Sequence, residues 1–219
     1  MATSYLSLVN DVLVRLREPT VTSVSQTSYS ALIGKFVNDS IMQVSDSYDW
    51  NCLRNTLSAD TTSDIFNYVL VGSGDRFRVI NVINDTQDIF MTGISSTTMT
   101  QYFLLNGGSS QKGAPMNYNF NGMDSNGDTQ VDIYPIPDKT YSLRFNIIQP
   151  EPELTADADV TKVPKQPTVL GAYARALVER GEDAGLSSSE AYGLFKASLA
   201  DSIAIESSRY GENEVWVEA

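Results

Sequence analysis

The chain predicts an α+β fold in which the N- and C-terminal helices form one helical bundle module around an inserted antiparallel β-sandwich or barrel-like domain. Three observations lead there. Both ends carry apolar residues at spacings of three and four, the mark of helices with one buried face. The middle instead holds short β-branched and aromatic runs separated by Gly, Asn, Asp and Pro. A lone helical hairpin buries too little apolar surface to stand alone, so the two ends are expected to meet. The resulting division is 1–50 for the first helical hairpin, 51–150 for the β-rich insert, 151–168 for a proline-rich connector, 169–210 for the second hairpin and 211–219 for an acidic tail.

The first helix runs over Tyr5–Leu16, with Leu6, Val9, Leu13 and Leu16 as its stripe and Leu8 and Val12 widening it. Glu18-Pro19 stops it, because proline disfavours helix at the preceding residue. Thr27 or Ser28 caps the second helix, Tyr29–Tyr48, whose broad face holds Leu32, Ile33, Phe36, Val37, Ile41, Val44 and Tyr48.

Strands are expected at Ile65–Val71, Phe77–Ile83, Asp88–Ile94, Thr100–Leu105, Met116–Phe120, Gln130–Tyr134 and Tyr141–Ile148. In the last of these Leu143, Phe145 and Ile147 alternate with Arg144, Asn146 and Ile148, which places the first three on the buried face. The connector that follows is rich in Pro and acidic residues. The third helix is expected over Val169–Gly181, with Pro167 at its first position, a stripe of Leu170, Tyr173, Ala174, Leu177 and Val178, and Gly181 or Gly185 as its stop. Ser187 and Glu190 have capping-box spacing for the last helix, Glu190–Tyr210. Its apolar row is Phe195, Leu199 and Ile203, flanked by Tyr192 and Ile205.

Composition excludes several function classes. Fifteen basic residues against 27 acidic ones leave a net charge of −12, the reverse of the clustered Lys and Arg that nucleic-acid binding needs. With no histidine, Ser-His-Asp and Cys-His catalysis and His-zinc sites fall away. Cys52 is the single cysteine, so no intrachain disulfide forms. No run reaches the roughly 20 apolar residues of a membrane span, and the N-terminus lacks the basic and apolar regions of a signal peptide.

Candidate sites of chemistry are weak. Asp124-Ser-Asn126-Gly-Asp128 opens like a calcium loop, but its twelfth position is Pro135 where a bidentate Glu belongs. A hairpin turn at Asn126-Gly127 accounts for the same residues. Asp157-Ala-Asp159 reads as part of a solvated linker, and Gly72-Ser-Gly74 as a turn. No catalytic nucleophile, cofactor or metal site is nominated, and the chain is not expected to be an enzyme.

The segment Leu8-Val-Asn-Asp-Val-Leu-Val-Arg-Leu-Arg-Glu-Pro19 resembles the start of tail adaptor proteins of short-tailed bacteriophages, also called head-to-tail connector or tail tubular A-type proteins. Phe36-Val-Asn-Asp-Ser-Ile, then Asp49-Trp50, is similar to that family's second helix and its exit. Ala176-Leu-Val-Glu-Arg-Gly-Glu182, Leu194-Phe-Lys and Leu199-Ala-Asp-Ser-Ile-Ala-Ile-Glu-Ser207 supply the third match. The resemblance implies a virion protein of the tail or neck, assembled in the bacterial host cytoplasm. It implies a homo-oligomeric ring, usually of twelve copies, that joins the portal protein to the tail nozzle protein and tail fibres. DNA then passes through the ring during ejection without specific binding. The C-terminal segment is expected to reach the portal through Glu206, Arg209, Tyr210, Val215, Trp216 and Val217. The competing expectation is a β-rich receptor- or glycan-binding tail protein, using the aromatic residues and Gly/Asn-rich loops of the insert.

Overall fold

A computed structural model describes residues 3–74, 76–104, 110–181 and 186–209, the side chains of Leu186 and Ser187 excepted. The fold is mixed α+β, with five helices and a curled sheet of seven strands among the described residues. The chain divides into two compact units, Met1–Leu53 with Pro150–Ala219, and Arg54–Gln149.

In the first unit, strand β1 (Thr3–Ser4) leads into helix α1 (Tyr5–Arg15). Ser4 caps α1, its Oγ accepting the Ser7 N–H. Tyr5, Leu8, Val9, Val12 and Leu13 make its buried face. The helix ends at Arg17, which adopts a left-handed φ of 58°, while the Glu18 N–H returns to the Leu13 carbonyl. Helix α2 (Ser28–Ser47) starts with a reciprocal cap: Thr27 Oγ1 accepts the Ser30 N–H, and Ser30 Oγ accepts the Thr27 N–H.

Helix α4 (Lys165–Arg180) packs against α1, α2 and helix α5 (Leu186–Arg209). It opens four residues before Val169, so Pro167 is its third residue rather than its first. Proline fits there because first-turn N–H groups have no intrahelical partner. Its buried face is also not the expected stripe. Gly171, Ala172, Ala174 and Ala176 are buried, whereas Leu170, Tyr173 and Leu177 are half-buried and Val178 is 67% exposed. A helix contacted by three others is held at close approach by small residues, and bulkier ones are displaced to its margins. Gly181 does end α4, at φ 63°, its N–H bonded to the Leu177 carbonyl. Helix α5 opens at Leu186, ahead of Ser187, whose expected capping side chain lies outside the described part, as does Gly185.

The tightest point of this packing is Gly171. A Cβ built there would lie 2.3 Å from Ser40 Oγ and 3.2 Å from the Phe195 ring. Alanine is a better helix former than glycine by about 1 kcal/mol, yet Gly171→Ala is expected to destabilise by roughly 1–3 kcal/mol through overpacking. Adding Ser40→Ala removes the hydroxyl in the way, so chemical denaturation of the double mutant should recover part of the loss.

The segment 150–164 ahead of α4 is not a solvated linker. Asp157 Oδ1 accepts the Val24 N–H, and the carbonyls of Asp157 and Asp159 accept the Leu6 and Tyr5 N–H groups at the start of α1. Strand β9 (Val160–Thr161) pairs antiparallel with β1, Glu151 accepts from Thr161 and Lys162, and Leu154 is buried. Asp159 Oδ2 accepts the Ala156 and Thr155 N–H groups, which hold its carboxyl below the ordinary value of 3.8. A depressed carboxylate pKa adds stability that is present above the unfolded-state value and disappears as pH falls through the folded one. The amides of Thr155 and Ala156 should therefore lose hydrogen-exchange protection below about pH 4, a dependence absent from Asp159→Asn.

The second unit contains β2 (Arg54–Asp60), β3 (Asn67–Val69), β4 (Arg78–Asn84), β5 (Ile89–Gly93), helix α3 (Ser96–Leu104), β6 (Asn117–Met123), β7 (Thr129–Tyr134) and β8 (Ser142–Ile148). The strands form one sheet in the order β2-β8-β4-β5-β6-β7-β3. Its core gathers Leu70, Val82, Met91, Val131, Ile133, Tyr141, Leu143, Phe145 and Ile147. Two expectations fail together here. The strand expected at Thr100–Leu105 is helix α3 as far as Leu104, with Leu105 outside the described residues. Ser95 Oγ accepts the Thr98 N–H, so the Ser-Ser-Thr-Thr run is a helix start rather than a turn. The sheet is then not wholly antiparallel, nor a sandwich. β5 and β6 run parallel, Thr92 beside Asn117, because a helical crossover between neighbouring strands requires it.

Candidate assembly surface

Four side chains, of Arg180, Asn38, Trp50 and Glu206, make polar contacts that fix the ends and connector of the first unit. The Arg180 guanidinium donates to Glu18 Oε1 at 2.5 Å and to the Tyr29 hydroxyl at 2.9 Å, tying the last turn of α4 to the ends of the α1–α2 loop. Its guanidinium is 5.3 Å from the Tyr29 ring centroid, close enough for a cation–π contact. Asn38, buried in α2, donates to the Leu154 carbonyl and accepts the Leu154 N–H. Buried Trp50 donates from Nε1 to the Val44 carbonyl at 2.7 Å, closing the exit of α2. Glu206 in α5 accepts the Asn51 N–H at 3.1 Å, at the short 3-10 turn Asn51–Leu53.

Glu18, Asn38, Trp50, Arg180 and Glu206 all lie in the segments that carry the phage-adaptor resemblance. Those motifs are thus fastenings of the helices to one another. Sequence periodicity misses them because each is polar, or lies beyond a helix end. The available signal is a charged or amide residue set inside an otherwise apolar turn, such as Asn38 after Val37.

Of the six residues expected to contact a portal, two lie in the described part. The Glu206 side chain is 12% exposed and 3.6 Å from the Arg209 guanidinium, which is 64% exposed. They border a cavity of about 290 Å³ with Trp50, Cys52 and Lys162. Burial, with Glu206 nearby, pushes the Cys52 thiol up, so it is a poor nucleophile at neutral pH. Tyr210, Val215, Trp216 and Val217 lie outside the described residues.

The outer surface of the helices is apolar where α4 meets α5. Val178 and Tyr192 are exposed there, and Leu194 and Ile205 are each about 60% exposed along α5. A groove of about 450 Å³ opens between Gln43, Ala174, Arg175, Val178 and Tyr192. Exposed apolar side chains beside an open groove, as at Val178 and Tyr192, mark a surface that another protein covers.

The family model of the SU10 adaptor protein matches residues 3–215. The chain belongs to this family. The adaptor is accordingly a phage structural protein, a virion component, and its family is not a class of enzymes. No curated protein matches its sequence.

No group of three or more Cys, Asp or Glu able to hold a metal occurs among the adaptor's described residues. The Asp124–Asp128 segment is a turn: Asp124 Oδ1 accepts the Asn126 and Asp128 N–H groups, with Gly127 at φ 86°. Asp128 in turn accepts from Gly72 and Gly74, so both candidate loops bond to each other. No described helix is long and apolar enough to cross a membrane.

Proposed function

We propose that this adaptor forms a ring, of twelve copies, between the capsid portal and the tail nozzle and fibres, and that its lumen is part of the DNA ejection channel. The family match along nearly the whole chain carries this reading. The exposed apolar side of α4 and α5 supports it, since a ring needs one surface of each copy to meet a different surface of the next. The helical unit then forms the ring, and the sheet unit presents a surface to tail components. The end of α5, at Glu206 and Arg209, faces the portal. Net charge suits passage: duplex DNA carries a charge roughly every 1.7 Å of axis, and an acidic wall does not retain it.

The aromatic side chains of the insert favour this over glycan binding. Tyr102 stacks on Tyr134, Phe103 meets Phe66 and Tyr134, and Phe77, Tyr118 and Phe120 pack edge to face. Rings paired in this way present little free face to a sugar. Electron microscopy of the protein mixed with a portal ring should show an added annulus of density. A free trimer with glycan affinity and no density on the portal would replace the adaptor reading with the receptor-binding one.

A further inference from the structure

We infer that the groove between α4 and the start of α5 receives the Val215-Trp216-Val217 segment of the neighbouring copy in place of the portal contact expected of these three residues, so that each tail locks the next subunit of the ring. The inference rests on the ring reading and adds to it the contact that closes the ring.

The groove and the segment match in chemistry. Gly171 and Ala174 line its floor, and Val178 and Tyr192 give it apolar sides that stand open to water. Arg175 borders it, held in place by Gln43 and the Gly171 carbonyl, and Lys196 lies 4.9 Å from the Tyr192 ring centroid. No carboxylate is among the described residues that line it. The segment is the complement: an apolar Val-Trp-Val set between Glu212, Glu214 and Glu218. Tryptophan is the residue that most often anchors an interface when it enters a pocket, and flanking carboxylates pair best with a cationic rim.

Reach decides which copy's groove is filled. Tyr192 lies 17 residues before Arg209 on α5, about 26 Å along the helix axis. Trp216 lies seven residues beyond Arg209, a stretch that spans at most about 25 Å when fully extended. A tail would have to double back at full stretch along its own helix to fill its own groove. A copy set beside it offers the same groove without that constraint. The strap then contributes by effective concentration, because the ring holds tail and groove close together.

The test uses the full chain assembled on portal rings, in a Cys52→Ser background, with Val178→Cys and Val217→Cys combined. Val178 is exposed, so its replacement leaves the core intact. After mild oxidation, a denaturing gel should show a ladder of dimers and higher species, absent when either cysteine is present alone. In parallel, Trp216→Ala and Lys196→Glu should each raise the concentration needed for assembly about tenfold or more, with monomer circular dichroism unchanged. Rings visible by microscopy that give no ladder, or only an intrachain bond, would overturn the inference and leave the ring standing. So would rings of Trp216→Ala that assemble as readily as wild type. If the wild-type protein forms no ring on any portal, the ring reading fails and the strap fails with it.

Discussion

Trp50→Ala is expected to lower the stability of the helical unit by about 3–5 kcal/mol, the cost of removing a fully buried large aromatic side chain. Trp50 is 1% exposed, and its ring meets Tyr48 edge to face at 5.5 Å. It also donates to the Val44 carbonyl, a last-turn carbonyl of α2 that accepts the Ser47 hydroxyl as well. The substitution therefore opens a cavity and loosens a helix end together. Trp50→Phe separates the two, keeping most of the packing while losing the N–H, at about 1–2 kcal/mol. Urea unfolding followed by circular dichroism gives both numbers. A midpoint for Trp50→Ala within error of wild type would mean that the exit of α2 is held by something else.

Asn38→Leu is expected to cost about 2–4 kcal/mol, because two backbone groups of Leu154 lose their partner at once. Leucine is similar in size, so packing is nearly conserved and the loss reports the hydrogen bonds. Leu154 and Asn38 are both buried, and water does not readily replace the amide. The effect should be local. Segment 150–164 should become the first site of proteolytic cleavage, and the Leu154 amide should lose its exchange protection while those of β8 keep theirs. Cleavage unchanged in position and rate would show that the β1–β9 pairing alone holds the segment.

Helix content at both ends is legible because residues such as Leu8, Val12, Val37 and Ile41 repeat at helical spacing and only one face is buried. α4 is legible as a helix but not in its orientation. Its packing surface is made of glycine and alanine, which periodicity of large apolar residues cannot weigh. α3 is hidden by Tyr102 and Phe103, whose β-preference outweighed the cap at Ser95. β2 is hidden by polarity: Arg-Asn-Thr-Leu-Ser-Ala-Asp is an edge strand, exposed on one face and half-buried only at Leu57 and Ala59 on the other, so its apolar signal is short. Of the candidate site, the apolar row of α5 is partly legible. Phe195 is buried and Leu199 and Ile203 are half-buried, as their spacing suggests, but exposed Leu194 and Ile205 belong to a second surface. Arg180, Asn38 and Gly171 are legible only in three dimensions, since their partners lie over a hundred residues away or on another helix.

The pairing of Thr3–Ser4 with Val160–Thr161, and of α4 with α1 and α2, bears on how the polypeptide matures during synthesis. When Leu53 leaves the ribosome, α1 and α2 still lack the helix that covers their inner faces. The intervening hundred or so residues take on the order of 10 s to translate, and they complete the whole sheet unit first. The helices of the first unit therefore close last, on a chain whose other half is already folded. A prematurely terminated product therefore carries a folded sheet unit beside two helices whose inner faces are still uncovered.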